Sequence, residues 1–506
     1  MRYGFVIDQT RCIGCHACTV ACKEENGVPV GAFRTWVKYV EKGEFPHARR
    51  HFAVLRCNHC DDAPCVTICP TRSLFRRHDG IVGFDRDRCI GCKSCMQACP
   101  YDALYMDPAT QTAAKCHFCA HRIEKNLEPA CVVVCPERAI LAGDLDDPGS
   151  EVARVIAREQ VQVRKPEQGT RPKLFYIGAD AAALTPQLQT VPAGTLWGQR
   201  LGNGAAAATA PVAGAGSRPA AATPKPVDVL GRVAYDAPHE SRPWGWRVSA
   251  YLWTKSVAAG AGLVAACGAL FGWTPRPGLT LPLIALAFLL LTTVLLVVDL
   301  KRPDRFHYIL LKPNFRSWLV WGAWILMAFG AALFFWLAAL ATGSPMMSRA
   351  LALAVIALAV AAAGYSAFLF AQAEGRDFWQ SPLVLPHLVV AAITAGAAVA
   401  LFVHGPWMAW RGLLMAGLGA NLLLVLAELF TPHANQDAAQ AARLITEGPW
   451  RTVFWGGVVA AGTLLPALLL HSSSWLATAV AGLLALIGLY LYEDCWVKAG
   501  QSVPLS

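Results

Sequence analysis

The sequence predicts two unlike parts in one chain: a small α+β domain built on cysteines, then an all-α bundle of eight membrane-spanning helices. Three observations carry this. Sixteen of the 18 cysteines fall between Cys12 and Cys135, about one residue in eight of that stretch. From Trp244 onward the chain is a series of long apolar runs, and 15 of its 17 tryptophans lie there. Between the two, GNGAAAATAPVAGAGSRPAAATPKP offers little to bury and reads as a flexible linker. The expected boundaries are 1–200 for the cysteine domain, 201–243 for the linker and 244–498 for the membrane part. With 55% hydrophobic and only 15% charged residues, a single ordinary soluble domain is excluded.

The net charge of +10 has no concentrated source. Residues 1–150 carry 19 Lys and Arg against 18 Asp and Glu. No basic block forms, so the charge argues against a nucleic-acid partner. Met1–Thr10 (MRYGFVIDQT) alternates like a strand and holds neither an apolar stretch of signal-peptide length nor a twin-arginine pair. This predicts a reducing compartment, where dense thiols hold metal more often than disulfides.

The cysteines fall into four groups of four. They are Cys12, Cys15, Cys18 and Cys22; Cys57, Cys60, Cys65 and Cys69; Cys89, Cys92, Cys95 and Cys99; Cys116, Cys119, Cys131 and Cys135. The first and third share C-x2-C-x2-C-x3-C, a repeat displaced by 77 residues. Pro70, Pro100 and Pro136 follow the last cysteine of three groups. This is the ferredoxin pattern for a cubane iron–sulfur cluster. A tight loop offers three thiolates to one cubane, and the fourth cysteine starts a helix leading to a neighbour. Zinc sites use pairs of C-x2-C instead. The count supplies four [4Fe–4S] clusters with no cysteine spare; Cys267 and Cys495 stand apart as bystanders. Arg11, Arg56, Arg88, Lys93, Lys115 and Arg122 stand near the groups and would offset the clusters' negative charge.

The segments RCIGCHACTVAC, RCNHCDDAPCVTICP, DRCIGCKSCMQACP and KCHFCAHRIEKNLEPACVVVCPERAI resemble, in order and spacing, the electron-transfer subunit of the DMSO reductase and polysulfide reductase families of molybdopterin enzymes. The resemblance implies a ferredoxin-like domain with cross-paired groups. Cys12, Cys15, Cys18 and Cys135 would hold one cluster, and Cys22, Cys116, Cys119 and Cys131 the next. Cys57, Cys60, Cys65 and Cys99 would hold a third, and Cys69, Cys89, Cys92 and Cys95 the fourth. The product is a linear wire.

The apolar runs count to eight spans, approximately 249–272, 279–299, 317–341, 349–371, 383–403, 409–430, 450–470 and 474–494. Trp273, Trp318, Trp379, Trp407, Trp410, Trp450, Trp475 and Trp496 near their ends suit an interfacial aromatic belt. Eleven Lys and Arg lie in connections on the side shared with the cysteine domain, against Arg276, Arg349 and Arg411 opposite. The positive-inside rule therefore predicts a multi-pass protein of a bacterial-type inner (cytoplasmic) membrane, with the cysteine domain on the cytoplasmic side. Among His307, His387, His404, His433 and His471, no two stand at matching depth on separate spans, so no haem is expected.

DLKRPDRFHYILLKPNFRSWLVWGAWIL, GYSAFLFAQAEGRDFWQSPLVLPHL and AITAGAAVALF resemble the NrfD-type membrane anchor of polysulfide reductase. That likeness implies a haem-free, quinone-interacting bundle. Intramembrane polar residues are functional candidates by default. Alternating span directions bring Lys255, Tyr365, His387, Glu428 and Asp299 toward the cysteine-domain side. Lys255, Tyr365 and His387 suit hydrogen bonds to a quinone; Glu428 or Asp299 suits proton relay. Plainer readings stand beside these. Lys255 snorkels to the interface, Asp299 pairs with Lys301 or Arg302, His387 bonds a carbonyl freed by Pro386, or Tyr365 is simply interfacial. The combined expectation is an electron-transfer and anchor subunit serving a separate molybdopterin-containing catalytic subunit and the membrane quinone/quinol pool. The alternatives are a quinone oxidoreductase fed by a soluble carrier, and a non-catalytic redox-sensing or assembly module.

Overall fold

The computed structural model describes residues 1–44, 46–190, 230–238, 242–272 and 278–506. Most of the expected linker, and the expected interfacial Trp273 and Arg276, lie outside the described residues. The chain divides into two units, Met1–Ser241 with Pro504–Ser506, and Arg242–Val503.

In the first unit the order is β1 (Tyr3–Asp8), α1 (Ala17–Asn26), β2 (Thr35–Lys42), β3 (Arg49–Arg56), α2 (Pro64–Ile68), β4 (Leu74–Arg76), β5 (Val82–Phe84) and α3 (Ser94–Ala98). It continues with β6 (Leu104–Asp107), β7 (Thr112–Lys115), α4 (Ala120–Ile123), α5 (Ala130–Val133), β8 (Ile140–Asp144) and α6 (Glu151–Arg158). Last come β9 (Val161–Gln162), β10 (Leu174–Ile177), α7 (Ala181–Leu184), β11 (Gln189–Thr190) and β12 (Gly231–Tyr235). One sheet has the order β8-β1-β10-β9 and another β11-β12-β2-β3. Phe5, Val6 and Ile7 are all buried because β1 is central, antiparallel to β8 and parallel to β10. Three hairpins, β2-β3, β4-β5 and β6-β7, separate successive cysteine groups. Each hairpin folds the chain back between one group and the next.

One boundary departs from expectation. Residues 231–235 were expected within the linker, yet they form β12, paired with β2 and β11. The cause is local alternation: Val233 turns into the core, while Arg232 stays exposed and pairs with Glu41.

The second unit is helical. Its elements are α8 (Trp246–Phe271), α9 (Thr280–Asp299), α10 (Tyr308–Leu311), α11 (Trp318–Ala341), α12 (Pro345–Ala371), α13 (Val384–His404), α14 (Met408–Phe430), α15 (Gln436–Thr446), α16 (Val453–Leu469) and α17 (Trp475–Ser502). Seven of these, α8, α9, α11 to α14 and α17, are long and apolar enough to cross a membrane. The expected run 450–470 forms α16, a shorter apolar helix. Residues Val453–Leu464 of it are wound as a π-helix, and within it the Thr463 hydroxyl donates to the Val458 carbonyl at 2.9 Å. The last expected span, 474–494, extends to Ser502, because Trp496, Val497 and Ala499 are also buried in the bundle.

α8 and α13 are the most enclosed spans, and they cross where both backbones are bare. A Cβ on Gly260 would meet the Ala392 carbonyl, and one on Gly396 would meet the Gly260 backbone. Glycines here permit close helix approach, as membrane packing favours. α9 instead exposes Leu283, Leu290, Leu291, Val294 and Val298, a face compatible with lipid.

Candidate functional site

The cysteine loops are shaped by backbone conformation before any side chain acts. In the first group Gly14 has φ 71° and His16 has φ 60°; in the third, Gly91 has φ 69° and Lys93 has φ 64°. The repeat in sequence is thus a repeat in conformation. Such left-handed turns aim backbone N–H groups inward and form anion-binding concavities. The amides of His59, Phe118, Ala113, Leu74 and Ala139 accordingly point at the sulfurs of Cys57, Cys116, Cys89, Cys69 and Cys135, at 3.3 to 3.5 Å. Iron-bound thiolates are stabilised by such donors.

Two cavities test whether these residues fit a cubane. One is lined by Cys22, Cys116, Cys119 and Cys131. The other is lined by Cys57, Cys60, Cys65 and Cys99. Each is one of the cross-paired sets implied by the resemblance. Burial raises the Cys12 thiol, and Cys135 and Cys15 lie within electrostatic reach of it. Burial likewise pushes Cys92 up to about 12, with Cys69 and Cys89 in reach. Cys12, Cys15 and Cys135 thus lie near one another, as do Cys69, Cys89 and Cys92. Among the described residues no three His, Cys, Asp or Glu side chains converge as single-ion ligands do. Four thiols around a cavity fit a cubane better than zinc. Ligation requires thiolate, so buried thiols at these positions would give up protons to bind iron.

Of the cations singled out in sequence, two touch sulfur. Arg56 is fully buried and donates from Nη1 to Cys131 Sγ at 3.0 Å, its guanidinium 4.6 Å from the Phe5 ring. Lys115, also fully buried, donates from Nζ to Cys57 Sγ at 3.5 Å and to the Cys116 carbonyl at 2.8 Å. Lys115 thus places a buried positive charge between Cys57 of one cavity and Cys116 of the other. Arg122 pairs with Glu25, and Arg88 with Asp85, so each also answers a carboxylate.

In the helical unit, the candidate residues gather in one half of the bundle as two clusters. In the first, Lys255 does not snorkel. It is fully buried, and Nζ donates to the Ala363 carbonyl at 3.0 Å and to Ser366 Oγ at 2.7 Å. It also stands 4.9 Å from the Tyr365 ring centroid, in cation–π contact. In the second, Glu428 accepts from Tyr492 Oη and Trp496 Nε1, both at 2.9 Å. The His387 ring lies 5.0 Å from that of Tyr492, with the Asn421 side chain in hydrogen-bonding reach. Asp299 ends α9, only partly buried, within electrostatic reach of Tyr251.

Tyr492, Trp496, Asn421, Ser366 and Glu493 were not among the sequence candidates. Glu493 was the one with a usable signal: a carboxylate one helical position beyond Tyr492 in YLYEDCW.

Sets of buried thiols on one unit and an apolar, polar-cored helical bundle in the other define a class: an electron-transfer subunit that is its own membrane anchor. Residues 49–145 match a 4Fe-4S dicluster domain, and residues 237–503 match the family described as polysulphide reductase, NrfD. The second match covers more than half of the chain, which belongs to the NrfD polysulphide reductase family. The cysteine part is 49% identical over 189 residues to the B subunit of tetrathionate reductase from Salmonella typhimurium, covering 37% of this chain and 76% of that protein. It is 41% identical over 181 residues to the B component of polysulfide reductase from Wolinella succinogenes, covering 35% and 94%. The arsenate respiratory reductase iron-sulfur subunit ArrB of Shewanella sp. strain ANA-3 is 36% identical over 225 residues, covering 35% and 96%. The chain is a multi-pass electron-transfer anchor that joins in one polypeptide an iron–sulfur part and an NrfD part.

Proposed function

We propose that this chain carries electrons between the membrane quinone/quinol pool and a separate molybdopterin-containing catalytic subunit, through four [4Fe–4S] clusters. The cluster ligands are the four cross-paired cysteine sets. Residues 1–200 serve as the wire and 244–498 as the anchor, with the wire on the cytoplasmic side of a bacterial inner membrane. The single observation that carries the reading is that two cavities are each lined by four thiols drawn from different sequence groups. Relatives named as subunits of tetrathionate, polysulfide and arsenate reductases support the partner.

The clusters, when bound, supply one-electron redox steps. This chain's residues do the rest. Amide N–H groups, Arg56 and Lys115 offset thiolate charge along the row. Lys255, Tyr365 and His387 offer hydrogen bonds to the two carbonyl oxygens of a quinone, while Glu428 and Asp299 are the proton relays on that side. A quinol gives up two electrons, singly, and two protons; on this orientation the protons enter the cytoplasm.

Purification of the intact complex, with iron and acid-labile sulfide measured per chain, is the test. About sixteen of each are expected; about eight or fewer would sink the four-cluster reading. A large molybdopterin subunit should copurify. Its consistent absence would favour the alternative, a quinone oxidoreductase served by a soluble carrier.

A further inference from the structure

We infer that Glu493, set beside Lys255, is a proton-accepting site of the membrane unit, taking up one of the two protons that leave each quinol. The inference rests on the quinone reading above and adds a residue to it.

The observation is a carboxylate with nothing to hold it. Glu493 is 4% exposed, and neither of its oxygens has a hydrogen-bond partner among the described residues. It is nine residues short of the end of α17, about 14 Å along the axis at 1.5 Å per residue. A buried carboxylate in that state is costly, and its charge has to be compensated or neutralised. Glu428 provides the contrast. It occupies the same half of the bundle and accepts from both Tyr492 and Trp496. One buried carboxylate has a donor on each oxygen; the other has a donor on neither.

What surrounds Glu493 suits a proton carrier. On α8, the Lys255 charge acts on it, yet Lys255 spends two donors on Ala363 and Ser366. Ser256, the next residue of α8, stands near Glu493, and its buried hydroxyl likewise has no hydrogen-bond partner among the described residues. Tyr251, one turn before Lys255, senses both Glu493 and Asp299. On α12, Tyr365 lies against Lys255. On α17 itself, Tyr492 points to Glu428, and Asp494 is engaged by Lys498 and Ser249. Unspent polar atoms therefore meet at Glu493, with Lys255 able to stabilise the carboxylate form. In the balanced step, quinol becomes quinone. Its two electrons pass singly to the clusters, one proton forms the Glu493 carboxylic acid, and the other leaves by the Glu428 side.

The test uses the intact complex in membranes, with menadiol as donor. Glu493→Gln is expected to lower kcat for quinol oxidation at least tenfold, within the span of general-base effects. KM for quinol and the cluster EPR spectra after dithionite reduction should stay unchanged. Glu493→Asp should restore much of the rate, which a purely structural role would not require. If Glu493→Gln fails to assemble, Glu493→Met, which fills a similar volume with no polar atom to satisfy, takes its place with Lys255 left intact, and the same kcat loss is expected. An unchanged kcat in an assembled variant overturns the inference. If wild-type clusters are not reduced by menadiol at all, the quinone reading fails instead, and the two failures are distinguishable.

Discussion

Cys57→Ala yields a protein that keeps its fold, loses about a quarter of its iron, and no longer passes electrons from quinol to the catalytic subunit. Cys57 is one of four thiols around a single cavity, 7% exposed, and accepts from Lys115 and the His59 amide. Removing its sulfur does not orphan Lys115, which still donates to the Val82 and Cys116 carbonyls. The damage is therefore to ligation and not to the core. The set has neighbours on both sides: Cys116 follows Lys115, and α2 carries Cys65 and leads directly to Cys69. Losing one member of a row opens a gap that electrons have to cross in one long step, and tunnelling falls steeply with distance. Iron analysis and stopped-flow reduction of the terminal acceptor check this. Cys267→Ser, on partly exposed α8 surface, should leave both unchanged.

Glu428→Gln should lower quinol turnover by about 10²-fold while leaving iron content and dithionite-reduced EPR spectra intact. The substitution preserves shape. The amide oxygen can still accept from the Trp496 indole N–H, and the Tyr492 hydroxyl can turn to accept from the new NH2 group. What is lost is the ionisable oxygen next to Tyr492 and, through its ring, His387. Glu428→Leu differs: it leaves Tyr492 and Trp496 without their acceptor, at about 1–3 kcal/mol for each buried orphan. Lower thermal stability of the Leu variant but not of the Gln variant would separate packing from proton transfer. Unchanged turnover in Glu428→Gln would remove it from the proton path.

The parts of this chain legible in sequence are those where chemistry dictates spacing. Cysteine ligands need a loop of fixed length, so their pattern survives as a string: Gly14 and His16 adopt the conformations of Gly91 and Lys93 because the repeat demands the same curl. Spans are legible because lipid demands unbroken apolarity, and α8, α9 and α11 to α14 begin and end within a few residues of expectation. Positions set by packing between distant segments were not legible. β12 is a strand because β2 offers an edge to the short alternation GRVAY, and five residues beside an Ala/Gly/Pro tract do not announce so distant a partner. Glu493 and Asp494 are adjacent and look alike, yet one is enclosed by α8 and the other reaches Lys498. Helical phase relative to partners decides between them. The π winding of α16 is of the same kind, since Gly462 and Gly488 meet where it crosses α17.

The proposed function requires electrons to move between membrane quinol and the clusters of this one chain. Anaerobic membranes carrying the intact complex are treated with menadiol and frozen, and the iron–sulfur EPR signals are compared with those after dithionite. Cluster reduction that depends on menadiol and is lost in Glu428→Gln, from a population of four clusters per chain, is the expected result. Clusters that dithionite reduces but menadiol leaves oxidised at every donor-to-product ratio would contradict it.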